Sequence, residues 1–167
     1  TSDTTPEYVF NSTEGGVVSY NGSCGAGSLG AAVAGNNTTT FTLPSPAAFN
    51  GQAYGDCTIV VTDALGNISN TLQVNAFTLD TVSPTIVEVT PVPVLDNKAT
   101  PRYTFSSNEI GTISYPTVCK SSRVKIAAGD NKISFPDLGS TAASIPYSCS
   151  LIVSDRAGNS TTFNISP

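Results

Sequence analysis

Four cysteines and twelve acids are the residues of this 167-residue chain whose types could do chemistry, and no histidine is present to join them. Without an imidazole, neither a Ser-His-Asp nor a Cys-His set can be assembled. The acids fall singly in turn-forming stretches, not as a facing pair. Gly15-Gly16 and Gly25-Ala26-Gly27 precede no helical pattern, so they are not phosphate-cradling loops. An enzyme is not expected. Zinc is a poor match as well, because none of the four cysteines has CxxC spacing. The remaining chemistry for Cys24, Cys57, Cys119 and Cys149 is disulfide formation, and four cysteines allow three pairings.

An internal repeat supplies the elements that position them. Thr5-Pro-Glu-Tyr-Val-Phe-Asn-Ser-Thr-Glu14 aligns with Thr100-Pro-Arg-Tyr-Thr-Phe-Ser-Ser-Asn-Glu109, and Gly16-Val-Val-Ser-Tyr20 with Gly111-Thr-Ile-Ser-Tyr115. Farther on, Cys57-Thr-Ile-Val-Val-Thr-Asp-Ala-Leu-Gly-Asn67 aligns with Cys149-Ser-Leu-Ile-Val-Ser-Asp-Arg-Ala-Gly-Asn159. Ordered blocks at nearly constant offsets mean one unit used twice, each about the size of a single β-sandwich. The expected domains are residues 1–81 and 82–167.

Within each unit the apolar residues alternate. Tyr103 and Phe105, Ile113 and Tyr115, Ile133 and Phe135, and Leu151 and Val153 each share a face. Turn-forming stretches such as Ser106-Ser-Asn-Glu109 and Asp155-Arg-Ala-Gly-Asn159 separate them. The spacing predicts strands near 85–93, 101–107, 111–119, 131–136, 147–154 and 160–166, with 120–128 irregular or a short extra strand. Two tandem all-β, immunoglobulin-like Greek-key sandwiches result. The first unit has no counterpart of Ser83-Pro-Thr-Ile-Val-Glu-Val-Thr90 before Thr1. Either the chain is a window on a longer array, or a neighbouring subunit supplies that edge strand. Thr162-Phe-Asn-Ile-Ser-Pro167 alternates suitably for a donor.

Because each repeat must be self-sufficient, the expected pairs are Cys24–Cys57 and Cys119–Cys149, which implies an oxidising, extracellular compartment. Seven Asn-x-Ser/Thr sequons begin at Asn11, Asn21, Asn36, Asn37, Asn67, Asn159 and Asn164, only a modest excess for so polar a chain. No apolar run is long enough for a membrane helix. Residues 1–97 carry eight acids and no base, whereas 98–167 carry seven bases and four acids. A chain that is acidic overall is a poor match for nucleic acid, but unlike halves would attract when copies meet end to end.

The segment Thr62-Asp-Ala-Leu-Gly-Asn67, repeated at Asp155–Asn159, and the linker Leu79-Asp-Thr-Val-Ser-Pro-Thr-Ile86 resemble bacterial Ig-like repeats of large surface adhesins and fibres. The resemblance implies a secreted surface module for cell adhesion that stacks against neighbouring Ig-like repeats or identical subunits. Two functions follow from it: a stalk or filament giving length and stiffness, or a module binding a glycan or protein on a host or cell surface. It also raises calcium as a cofactor. In a sandwich, Asp80 from the linker, Glu109 and Asp155 would gather at one pole, a hard-oxygen set suited to Ca²⁺. The competing reading is that Asp63 and Asp155 simply hydrogen-bond the backbone of their own turns.

Overall fold

The computed structural model describes residues 1–43, 51–92, 100–116, 119–135 and 149–165. The described residues are all strand and connection, and no helix occurs among them. The chain divides into two compact units, Thr1–Thr81 and Val82–Pro167.

In the first unit the strands are β1 (Glu7–Ser12), β2 (Gly16–Asn21), β3 (Ala31–Ala32), β4 (Gly35–Thr40), β5 (Gln52–Tyr54), β6 (Thr58–Thr62), β7 (Leu72–Gln73) and β8 (Phe77–Leu79). Every pairing is antiparallel, in the orders β3-β2-β6-β7, β1-β4 and β5-β8. The second unit holds β9 (Ile86–Thr90), β10 (Arg102–Ser107), β11 (Gly111–Ser114), β12 (Lys125–Ile126), β13 (Gly129–Ser134), β14 (Cys149–Ser154) and β15 (Ser160–Ile165). They form two antiparallel sheets, β13-β10-β9 and β12-β11-β14-β15. Alternation sets the burial. Along β14, Cys149, Leu151 and Val153 point into the core while Ser150, Ile152 and Ser154 do not. Each unit closes over its own core, built on Phe10, Phe41 and Ile59 in one and on Phe105, Phe135 and Leu151 in the other. The expected pairing of cysteines holds, Cys24 to Cys57 and Cys119 to Cys149, with Cα separations of 5.6 and 5.5 Å.

The repeated glycine before each Val-Val-Ser-Tyr or Thr-Ile-Ser-Tyr run has a packing cause. A Cβ on Gly16 would meet the Thr62 carbonyl oxygen at 2.3 Å, and one on Gly111 the Ser154 oxygen at 2.2 Å. The tyrosine ending that run closes the next loop in both units. Tyr20 Oη donates to Leu29 O at 2.7 Å, and Tyr115 Oη donates to Arg123 O at 2.9 Å.

Three expectations need correction. The run expected over 111–119 stops as a strand at Ser114, and β9 is shorter than 85–93. Of the two readings of 120–128, the short extra strand is the one found, since Lys125–Ile126 joins the edge of the β11 sheet. The suggested donor segment is already committed: Thr162 to Ile165 pair with β14 inside the second unit, and Ile165 is buried there. Ser166 and Pro167, and the start of the strand expected at 147, lie outside the described residues.

Candidate functional site

The Asp-x-x-Gly-Asn stretches form two copies of one hydrogen-bonded hairpin. In the first unit Asp63 Oδ1 accepts the Leu65 and Asn67 amides, both at 2.8 Å, and Asp63 Oδ2 accepts Asn67 Nδ2 at 2.7 Å. In the second, Asp155 Oδ1 accepts the Gly158 and Asn159 amides at 2.7 and 2.9 Å, and its Oδ2 accepts Asn159 Nδ2 at 2.8 Å. The Asp63 and Asp155 amides donate to the Asn67 and Asn159 carbonyls, each at 3.0 Å. The glycine must adopt a left-handed backbone to close the turn, with φ of 88° at Gly66 and 102° at Gly158. The turn-stapling reading of both aspartates is therefore correct.

A second acid in the first unit does similar work beside the disulfide. Asp56 Oδ1 accepts the Ser23 amide at 3.0 Å and also the Ser23 hydroxyl, tying together the residues that precede Cys24 and Cys57. The Ser23 hydrogen bonds hold the Asp56 carboxyl below its ordinary 3.8. The Asn67 side chain, then its amide, does the same for Asp63. A carboxyl whose folded pKa is depressed contributes stability above its unfolded value, and that contribution is lost as pH falls through the folded value. The melting temperature of the first unit is therefore expected to hold at neutral pH and to drop progressively below pH 3.8. In Asp63→Ala, circular dichroism melts should show a lower plateau and a shallower acid decline. An unchanged acid profile in that variant would remove Asp63 from this role.

Of the three acids expected to hold a cation, Glu109 and Asp155 belong to the second unit, and each places a carboxylate oxygen within 4.8 Å of the other. Asp155 is buried and Glu109 half-buried. Asp80 is the penultimate residue of the first unit, where its amide donates to Thr1 O at 2.9 Å. Asp155 spends three acceptor positions on its hairpin, which leaves about one lone pair of a carboxylate's four for anything else. It could therefore serve as a monodentate ligand and no more.

Sequence reasoning passed over one pair of polar residues that the structure makes central. Asn131 is fully buried. Its Oδ1 accepts the Ala127 amide at 3.0 Å and Arg123 Nη2 at 3.1 Å. Its Nδ2 donates to Ala127 O and Gly129 O, both at 2.8 Å. Asn37 repeats the pattern on Val33 N, Val33 O and Gly35 O, each at 2.9 Å. These asparagines sit where the chain leaves one sheet for another, β12 to β13 and β3 to β4, so backbone groups at the crossing have no ladder partner. The signal was available: Ala34-Gly-Asn-Asn37 and Ala128-Gly-Asp-Asn131 form a further block of the repeat.

Comparison of the chain with protein-family models, with curated proteins and with solved structures yields no match.

Proposed function

We propose that the chain is a structural module of an extracellular surface fibre, filament or adhesin stalk, built from two tandem immunoglobulin-like sandwiches. One observation carries the reading: the same set of staples occurs twice. Each unit has a disulfide, an Asp-centred hairpin, a buried crossover asparagine and a tyrosine closing the loop after β2 or β11. Such staples conserve length and shape and contribute no reactive centre. Disulfides persist in oxidising compartments, which supports an extracellular site.

Recognition of a glycan or receptor fits less well. Sugar-binding surfaces usually present an aromatic platform. Among the described residues the exposed large hydrophobics are all aliphatic, Leu65 and Ile68 being the most exposed. The partners we favour are further repeats or copies of the chain meeting end to end, the first unit with its six acids and no base against the second with its seven bases and six acids. Electron micrographs of the concentrated protein should then contain linear arrays at low salt, and monomers under all conditions would refute this.

Mechanical function is tested by pulling between the termini of a single molecule. Two separate unfolding events are expected, one per unit, and the absence of resistance in either unit would refute the stalk.

Calcium is carried as a second proposal, supported by the approach of Glu109 to Asp155 within the second unit. Two carboxylates that close repel unless a cation or proton lies with them. Millimolar Ca²⁺ should raise the melting temperature of the second unit, and Glu109→Gln should abolish the gain. A rise that survives in Glu109→Gln, or no rise at all, would dismiss calcium.

A further inference from the structure

Among the described residues, the two units differ in what lies beside the strand that carries the repeated Tyr-x-Phe stretch. In the second, β9 lies antiparallel along β10, with Ile86 opposite Ser107 and Glu88 opposite Phe105. The residues just before β9 are pinned as well. Thr85 N donates to Asn108 Oδ1 at 2.7 Å, Asn108 N donates to Thr85 O at 3.2 Å, and the Thr161 hydroxyl donates to Pro84 O. Ile86 packs against the core.

In the first unit the strand matching β10 is β1, and among the described residues β1 pairs with β4 alone. Between the end of β1 and β6–β7 lies a groove of about 140 Å³ lined by Phe10, Ser12, Thr13, Ile59, Val61 and Leu72, with no β4 residue in its lining. By the repeat alignment, Phe10, Ser12, Thr13 and Val61 are the counterparts of Phe105, Ser107, Asn108 and Val153. The groove therefore occupies the position that Pro84-Thr85-Ile86 fills in the second unit. Burial agrees. Phe10 and Val61 retain 6 and 9 % exposure where Phe105 and Val153 have none. Tyr8 is partly buried where Tyr103 is wholly buried.

We infer that this groove is a strand-acceptor site, and that its ligand is an extended Pro-Thr-Ile-Val-type strand from another repeat of this kind, added antiparallel to β1. Backbone amides and carbonyls on a free edge supply the hydrogen bonds, and alternate side chains supply selectivity. The isoleucine of the incoming strand enters the groove against Phe10 and Val61, as Ile86 meets its own core. The groove continues into a trough edged by Glu14 and Asp63. The inference rests on the groove and not on the stalk reading, so its failure would leave that reading intact.

The test uses the unmodified chain and a synthetic peptide of sequence Ser-Pro-Thr-Ile-Val-Glu-Val-Thr. Saturable binding is expected, with amide exchange slowed on the order of tenfold or more over Val9–Ser12 as new ladder bonds form. The same peptide with Ile replaced by Asp should not bind. Three outcomes would each overturn the assignment. These are no binding, equal binding of the Asp or a scrambled peptide, and protection confined to Arg102–Ser107, which would mean exchange with β9 instead.

Discussion

Replacing Cys24 and Cys57 together by alanine is expected to lower the stability of the first unit by about 3–4 kcal/mol while leaving the second unit's transition where it was. The bond closes a loop of 33 residues, and its counterpart one of 30. Cross-linking removes that loop's freedom from the unfolded chain, and the cost of restoring it grows only slowly with length. Both sulfurs of the first bond are almost fully buried, so the alanine pair also gives up packing against Ile59 and its neighbours. For a unit of this size the midpoint should fall by roughly 15–25 °C. Calorimetry that resolves two transitions in the parent should show one displaced and one unmoved. A displacement of both, or of neither, would mean that the units do not unfold as separate bodies.

The second large effect is expected at a residue with no chemistry of its own. Asn131→Ala removes four hydrogen bonds and leaves Ala127 N, Ala127 O and Gly129 O without their partner. Ala127 and Gly129 are exposed, so water recovers part of these bonds and a loss of about 1–2 kcal/mol is expected. Asn131→Leu should be no better, because volume is restored but the three backbone groups stay unmatched. Asp130 is the control, since it is adjacent and exposed and Asp130→Ala should change stability by less than about 0.5 kcal/mol. Urea titration followed by circular dichroism reads all three. Equal effects at 130 and 131 would remove the asparagine from its structural role.

How much of this was legible in the sequence depends on the physics behind each feature. Alternation along Ile133-Ser-Phe135 and Ile113-Ser-Tyr115 is a direct record of two-sided strands, so strand positions and the all-β class could be read from it. The disulfides were legible because a repeat demands that each unit close on itself. The hairpin role of Asp63 and Asp155 was half legible. Asp before Gly-Asn marks a turn, but only coordinates show both carboxylate oxygens committed to it. Asn131 was hidden because an Asn in an Ala-Gly-Asp-Asn stretch looks like solvated turn chemistry, and only the sheet-to-sheet crossing puts it inside. The side of β1 away from β4 is recognised only by comparison with β10, which β9 covers. That a groove lined by Phe10 and Val61 lies there follows from packing, which alternation does not encode.

The central claim is that the molecule bears load as two stapled bodies, and extension of single molecules with and without reductant tests it most directly. Under oxidising conditions the account expects two unfolding events, each shortened by its intact disulfide. After reduction the events should lengthen by about 110 and 100 Å, the extended lengths of the 33 and 30 residues released at roughly 3.3–3.6 Å each. One merged event, or lengths indifferent to reductant, would contradict it.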